Sequence, residues 1–334
     1  MLYSWLHELR TVPCGPSQCI EGPAAVTTLV ISHAKCLEHQ TPFGHPERAD
    51  RLRMITHVLE HERFADLARD EAPEAPAEAI LRVHPPEFID KLVNATPFVG
   101  LVHVDGDTTL SPGSYEAALR SAGGGLFAVD EVMTRKVTNA FVATRPPGHH
   151  AEMATAMGFC LFNNAAIAAR HAQAKYGAER VAIMDFDVHH GNGTQDIFWS
   201  DPSVMYLSTH EMPLYPGTGA LNETGAHNQI VNAPLRAGDG GDQFREAMDT
   251  AILPRMRAFR PDLVIISAGF DAHERDPLAN INLTEADFAW ATKRMMEVAD
   301  ETCGGRVVSL LEGGYDLEGL GRSVGAHVMA LMRG

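Results

Sequence analysis

The stretch Asp-Phe-Asp-Val-His-His-Gly-Asn-Gly at residues 185–193 decides the interpretation of this chain, and it directly follows the apolar run Val-Ala-Ile-Met at 181–184. An apolar run that ends in polar residues and glycines is typical of a buried parallel strand, and ligand sites of open α/β sheets lie at the carboxyl ends of such strands. Asp187 and His189 are two residues apart, so in extended backbone both side chains point to the same side. The pair could hold one metal ion, provided that a third ligand comes from elsewhere in the chain.

Similar apolar runs alternate with helical patterns along most of the 334 residues. Repeated βα units predict an α/β fold with a central, mostly parallel sheet and helices on both faces. The predicted strands cover residues 27–32, 79–83, 140–144, 181–185, 204–208, 262–267 and 306–311. The predicted helices begin at residues 45, 86, 112, 163, 243, 284 and 317. No linker separates these elements, so we expect a single domain over residues 27–334 after an N-terminal arm at 1–26.

The composition excludes several classes of protein. A net charge of −16 argues against a nucleic-acid-binding surface, which needs clustered Lys and Arg, and would favour a cationic substrate. The five cysteines are scattered and predict neither a disulfide framework nor a zinc knuckle. No uncharged run approaches the roughly 18 residues of a membrane helix, and the first residues lack a signal-peptide pattern. We therefore expect a cytoplasmic protein without nucleic-acid or membrane partners, and the oligomeric state stays open.

Polar residues follow the later strands at the point where each strand ends. These residues are His149 and His150, the stretch 185–192, Ser208 and His210, Asp271, and the stretch 312–315. Because the carboxyl ends of parallel strands meet at one edge of a sheet, they are expected to form one composite site. Two adjacent histidine pairs, at 149/150 and 189/190, favour a metal hydrolase.

Five ordered motifs run from residue 145 to residue 315. They are Arg-Pro-Pro-Gly-His-His at 145–150, Gly-Phe-Cys with Phe-Asn-Asn at 158–164, Asp-Phe-Asp-Val-His-His-Gly-Asn-Gly-Thr-Gln at 185–195, Ala-Gly-Phe-Asp-Ala at 268–272 with Asp-Pro at 276–277, and Glu-Gly-Gly-Tyr at 312–315. Together they resemble the histone deacetylase superfamily, from about Leu29 to the C-terminus. His-Pro-Glu-Arg at 45–48 and Asn192 are similar to class II and bacterial histone deacetylase-like amidohydrolases, because class I members usually carry Asp at that Asn. The resemblance implies the arginase/deacetylase fold.

The resemblance also implies a metal centre. Its ligands would be Asp187, His189 and Asp271, with an open position for water and the substrate carbonyl. Zn²⁺ accepts such a mixed set of carboxylate and imidazole ligands and lowers the pKa of bound water to about 7. The same set would accept Fe²⁺, so the ion that fills the site in the cell is less well defined than its ligands.

The resemblance assigns the proton chemistry to a histidine pair. His150 would act as general base and acid, and His149 as its electrostatic partner. Asp185 and Asn192 are the matching positions that fix the tautomers of His149 and His150, respectively. Tyr315 would donate its hydroxyl to the developing oxyanion.

Further residues receive supporting roles by the same resemblance. A structural K⁺ ion would be bound by Asp185, Ser208 and the backbone carbonyls of residues 187 and 189. An acyl-lysine tunnel would be lined by residues that could otherwise be ordinary core or loop residues, namely Gly158, Phe159, Tyr215, Leu278 and Gly313. Arg48 would line an internal acetate exit channel. Four more histidines are interpreted as structural, namely His45, His190, His210 and His273.

The sequence therefore predicts a zinc-dependent deacetylase that converts acetyl-lysine-type or small N-acetyl amines to the free amine and acetate. An acetylpolyamine amidohydrolase is the main alternative, because the net charge is −16 and Asp105 and Asp107 could lie at the rim. Against it, Leu278 stands where polyamine-selective relatives can carry an acidic gatekeeper. An inactive acyl-lysine binding module is disfavoured by the complete set of catalytic residues. A two-metal ureohydrolase is disfavoured because His190 and Ala272 occupy places where extra carboxylates would be needed.

Overall fold

The computed structural model describes residues 27–333, so the predicted N-terminal arm at 1–26 lies outside the described residues. The strands are β1 (Thr28–Ser32), β2 (Ala68–Glu71), β3 (Val102–His103), β4 (Thr109–Leu110), β5 (Asn139–Val142), β6 (Val181–Asp185), β7 (Val204–Glu211), β8 (Ile230–Leu235), β9 (Leu263–Ala268) and β10 (Val307–Leu311). The helices are α1 (Asp50–Leu59), α2 (Ala77–Ile80), α3 (Pro86–Ala95), α4 (Ser114–Met133), α5 (Asn164–Tyr176), α6 (Asn192–Phe198), α7 (Gly241–Ala247), α8 (Leu253–Phe259), α9 (Glu285–Cys303) and α10 (Leu317–Arg333).

Eight of the strands in the described chain form one sheet, in the order β2-β1-β5-β10-β9-β6-β7-β8. All neighbouring strands in this sheet run parallel. The short strands β3 and β4 form a separate antiparallel pair. The predicted fold class is therefore confirmed, and the carboxyl ends of β5, β10, β9 and β6 lie side by side at one edge.

The sheet separates two hydrophobic cores, because successive side chains of a strand point to opposite faces. In β6, Val181 and Ile183 belong to the core that α4 and α5 cover. Ala182 and Met184 belong to the core that α1, α9 and α10 cover. Every residue of β6 is buried, which explains why its sequence is continuously apolar up to the final carboxylate.

Several predicted elements were wrong in type or extent. Residues 79–83 were predicted as a strand, but residues 77–80 form helix α2, because a short buried apolar run has the same pattern in either structure. The first helix begins at Asp50 instead of residue 45. A π-helical turn at Met248–Ile252 separates α7 from α8, where the sequence predicted one helix that begins at residue 243. Strands β2 and β8 were missed: β2 is polar and mostly exposed, and β8 contains Pro234 at the sheet edge.

Cys36, Cys160 and Cys303 are free and buried. None of the helices within residues 27–333 is both long enough and apolar enough to cross a bilayer.

Candidate active site

Four neighbouring strand ends bring the predicted site residues together. His149 and His150 follow β5, Asp187 and His189 follow β6, Asp271 follows β9, and the stretch 312–315 follows β10. All of these side chains are buried or nearly so. The parallel sheet thus assembles in space what the sequence separates by more than 160 residues.

Three side chains form a candidate metal centre. One ligand atom from each of Asp187, His189 and Asp271 lies within 4.8 Å of the others. Nδ1 of His189 lies 3.2 Å from Oδ1 of Asp187 and 3.1 Å from Oδ2 of Asp271. Burial, together with the charge of Asp187, raises the pKa of Asp271 to about 7. Burial lowers the pKa of His189, but its bonds to both carboxylates outweigh burial and raise the pKa to about 10. Two buried carboxylates on one imidazole therefore favour a cation at this point.

Backbone groups hold the two carboxylates in place. The amide of Gly313 donates to Oδ2 of Asp187 at 2.8 Å, and the amide of Val188 donates to Oδ1 of Asp271 at 2.8 Å. A side chain at Gly313 would place its Cβ 2.2 Å from Oδ2 of Asp271, and one at Gly269 would place it 2.0 Å from Oδ2 of Asp187. Only glycine fits at these two positions. The structure thus places Gly313 beneath the ligand carboxylates, and not among the side chains that line the cavity.

The two histidines after β5 form a stacked pair with different partners. Their ring centroids lie 4.0 Å apart. Nδ1 of His149 lies 3.0 Å from Oδ2 of Asp185, and Nδ1 of His150 lies 2.8 Å from Oδ1 of Asn192. Burial lowers the pKa of His149, but the charges of Asp187 and Asp185 outweigh it and raise the pKa well above its usual value. Burial and the charge of His149 hold the pKa of His150 well below its usual value. The pKa values of the two imidazoles are therefore shifted in opposite directions.

Tyr206 and Glu312 support this pair, and neither was assigned a role from the sequence. The hydroxyl of Tyr206 donates to Oδ2 of Asp185 at 3.0 Å. Oε2 of Glu312 accepts from the amides of Gly148 and His149 at 2.6 and 3.1 Å. Glu312 could have been found as the first residue of the motif at 312–315. Tyr206 gave no signal beyond a hydroxyl inside an apolar strand.

The predicted potassium ligands lie on adjacent strands. Asp185 of β6 is the register partner of Ser208 of β7, and both are buried. The Ser208 hydroxyl lies 2.9 Å from Nδ1 of His210. Asp185 receives hydrogen bonds from Tyr206 and from the Asp187 amide, in addition to its contact with His149.

A cavity of about 260 Å³ leads to His150, the second residue of the histidine pair. It is lined by most of the predicted tunnel residues, by Asp107, which the sequence suggested for the rim, and by Leu214, which was not assigned to it. The lining residues are Asp107, His150, Gly158, Phe159, His189, Leu214, Tyr215, Leu278 and Tyr315. The Phe159 ring stands edge-on to Tyr315 with centroids 5.8 Å apart, and the Tyr215 ring stands edge-on to His150 at 5.2 Å. Gly158 has φ of 56°, and a Cβ there would lie 2.5 Å from Cδ2 of His150. The walls are aromatic and the inner end is polar.

The assignment of Arg48 to an internal channel was wrong. Its side chain is 47% exposed and lies 3.6 Å from Asp50 in a surface ion pair. Helix α1 begins only at Asp50, so Arg48 lies in the preceding loop, and Arg51 in the first turn points inward instead. Arg51 is fully buried, donates to the carbonyl of Gly314 at 2.6 Å, and has its guanidinium 5.0 Å from the Tyr315 ring centroid.

The carboxyl edge of this parallel sheet carries a cluster of two carboxylates and an imidazole, a histidine pair and a tyrosine. This combination defines a hydrolytic enzyme with a candidate metal centre. Within that class, the chain belongs to the histone deacetylase family, because residues 45–331 match the family model of the histone deacetylase domain.

Individual relatives agree with this family. A histone deacetylase-like amidohydrolase of Pseudomonas aeruginosa is 39% identical over 302 residues, which cover 89% of this chain and 79% of that protein. A probable deacetylase of Archaeoglobus fulgidus is 38% identical over 315 residues, covering 92% and 87%. Among solved structures, the crystal structure of the HDA15 HD domain matches with a TM-score of 0.87 and 38% identity, covering 92% of this chain and 88% of that one. The chain is thus a deacetylase or amidohydrolase of this family, and its family implies an acetylated substrate.

Proposed function

We propose that this protein is a zinc-dependent deacetylase that hydrolyses the acetyl amide of acetyl-lysine-type or small amine substrates. The observation that carries the proposal is the convergence of Asp187, His189 and Asp271 beside a cavity that His150 and Tyr315 also line. A binding module would not need a buried acid–base pair at this point. An inactive acyl-lysine binder is therefore the weaker interpretation.

The donor set fits the ion. Two carboxylates and one imidazole, all buried, match the mixed nitrogen and oxygen ligands of catalytic Zn²⁺ and would also accept Fe²⁺. When bound there, the ion would act as a Lewis acid toward the amide carbonyl and a water molecule. A K⁺ ion at Asp185 and Ser208 is a second proposal, supported by the juxtaposition of these two buried groups on adjacent strands.

The side chains of the protein supply the remaining steps. Neutral His150 takes the proton of the attacking water as a new C–O bond forms, and later passes a proton to the amine nitrogen as the C–N bond breaks. Charged His149 stabilises the negative charge that develops beside it. The Tyr315 hydroxyl donates to the oxyanion, and Phe159 and Tyr215 exclude water around the acyl chain. Arg51, behind Tyr315, is the residue that we propose for the acetate path.

A specific observation at the cavity supports each of two substrate classes. Leu278 at the lining offers no partner for a distal ammonium, which favours an acetyl-lysine side chain with its peptide across the mouth. Asp107 also lines the cavity, and burial together with the charges of Asp107 and Asp105 raises the pKa of Tyr215. This acidic surrounding favours an acetylpolyamine as the alternative substrate.

A comparison of kcat/KM for acetyl-lysine peptides, small acetylated amines and acetylspermidine tests the proposal on the zinc-loaded protein. We expect the peptides or small amines to be preferred, and Leu278→Glu to shift the ratio toward acetylspermidine by adding a carboxylate at the cavity. A tenfold or greater preference of the unaltered protein for acetylspermidine would assign the polyamine function instead. The cytoplasmic location stays a prediction.

A further inference from the structure

Asn192 lies between the proposed base His150 and a second carboxylate, that of Glu152. Oδ1 of Asn192 is 2.8 Å from Nδ1 of His150, and Nδ2 of Asn192 is 2.9 Å from Oε1 of Glu152. Nδ2 also lies 3.4 Å from Sδ of Met157. Asn192 is only 6% exposed, so its amide cannot satisfy either end with bulk water. His150, Asn192 and Glu152 thus form a chain of hydrogen bonds, which ends outside the cavity at the half-buried Glu152.

The donor-to-acceptor direction of these hydrogen bonds follows from the chemistry of the groups at the two ends. An ionised carboxylate and a thioether can only accept hydrogen bonds, whereas a carboxamide donates at one end and accepts at the other. The NH₂ of Asn192 must therefore face Glu152 and Met157, and its oxygen must face His150. Nδ1 of His150 then carries the proton, which leaves the lone pair of a neutral imidazole on Nε2.

We propose that Glu152 is a positioning residue that fixes the tautomer of His150 through the orientation of the Asn192 amide. With a donor in place of Glu152, the amide would turn over and its NH₂ would face Nδ1, so the proton would move to Nε2. His150 could then no longer accept a proton on that atom. The role of Glu152 in turnover rests on the proposed function of His150 as base, but the tautomer itself does not.

Substitutions at position 152 that change which end of the hydrogen bond donates provide the test. Glu152→Gln keeps the shape but can either donate or accept, and Glu152→Lys can only donate. With Asn192 present, we expect kcat to fall in the order unaltered protein, Glu152→Gln, Glu152→Lys, with a loss on the order of a hundredfold for Lys and little change in KM. Glu152 is partly exposed, so both substitutions should be compatible with folding, which thermal unfolding would check.

The Asn192→Asp background should reverse this order. An aspartate accepts at both oxygens, so it suits a donor at position 152 and is repelled by the carboxylate already there. The Asn192→Asp change alone should therefore lower kcat, and adding Glu152→Lys should restore part of the loss, more than adding Glu152→Gln does. A residue with a merely structural role would not produce such a reversal.

A second readout is independent of turnover. The ¹⁵N shifts of the imidazole of His150, identified by their loss in His150→Ala, report which nitrogen carries the proton. We expect the Nδ1–H tautomer in the unaltered protein and the Nε2–H tautomer in Glu152→Lys. If the tautomer follows this pattern while no amide is hydrolysed, the proposed function fails and the role of Glu152 stands. An unchanged Nδ1–H tautomer in folded Glu152→Lys, or the same rank order of kcat in both backgrounds of an active enzyme, would overturn the inference.

Discussion

Replacement of Tyr315 by Phe removes one hydroxyl from a ring that other contacts hold in place. The ring packs edge-on against Phe159 and lies under the guanidinium of Arg51, and the backbone amide donates to Oδ2 of Asp276 at 2.7 Å. Within the described residues the hydroxyl itself makes no hydrogen bond to the protein. Its loss therefore leaves no buried group unpaired, and we expect the free energy of unfolding to change by less than about 1 kcal/mol.

The effect on turnover should be much larger. Tyr315 lines the cavity together with His189, one of the proposed metal ligands, and in the proposed reaction the carbonyl oxygen of the amide becomes negatively charged there. Loss of one donor to such an oxyanion costs about 3 to 4 kcal/mol, which corresponds to a decrease in kcat of roughly 100- to 1,000-fold. KM should change little, because the donor acts mainly on the transition state.

Steady-state kinetics on an acetyl-lysine peptide, with zinc content and thermal unfolding measured on the same preparations, would check this prediction. Tyr176→Phe is the control, because it also removes a tyrosine hydroxyl, here one bonded to Asp130 at the end of α5, away from the site. This control should retain near-full turnover. The reasoning is refuted if Tyr315→Phe also retains it, or if it loses activity only in proportion to lost zinc.

Three further predictions concern the metal and the buried charges. A strong chelator should abolish amide hydrolysis and one equivalent of zinc should restore it, whereas metal analysis that finds two required ions per chain would favour the two-metal ureohydrolase. Glu47→Gln should lower the free energy of unfolding by about 3 to 5 kcal/mol in denaturant titrations at pH 7, because it leaves the buried guanidinium of Arg145 without its carboxylate. Burial alone would raise the pKa of Glu47, but Arg145 holds it at about 2, below the usual 4.5. The difference in free energy of unfolding between the unaltered protein and Glu47→Gln should therefore persist above pH 4.5 and disappear as the pH falls toward 2. Burial lowers the pKa of His327 from 6.5 to about 3, so between these two pH values only the unfolded chain binds a proton at this residue. Acidification through this range therefore destabilises the folded protein, and His327→Asn should reduce that loss of stability by about 1.4 kcal/mol per pH unit, as measured by denaturant titration.

The sequence predicted the centre of the molecule better than its margins. Strand β6 and the residues after it were predicted correctly in place because their pattern is local: a fully buried strand is continuously apolar, and its end is marked by charge and glycine. The same holds for β9 and β10. The edge strands β2 and β8 were missed because a strand that is partly exposed, or interrupted by proline, has no such signal.

Errors in the candidate site arose where a long-range contact decides the local structure. Glu47 is fully buried in an ion pair with Arg145, which lies 98 residues away, and the loop that carries Glu47 therefore precedes the helix instead of starting it. That shift exchanges Arg48 for Arg51 as the inward-facing arginine. Leu214 and Glu152 likewise reach the site from loops, whose course cannot be derived from periodicity.

The anchoring of Arg51 has a consequence for how this enzyme could be altered in the laboratory. Through its hydrogen bonds to the carbonyls of Glu312 and Gly314, Arg51 ties the inner end of the site to helix α1, and all three residues are buried. The mouth is built differently, because Tyr215 is 38% exposed and Leu278 is only partly buried. Directed evolution should therefore find changes in substrate range at the mouth with little loss of folding stability, whereas substitutions that remove the buried contacts of Arg51 should lower that stability.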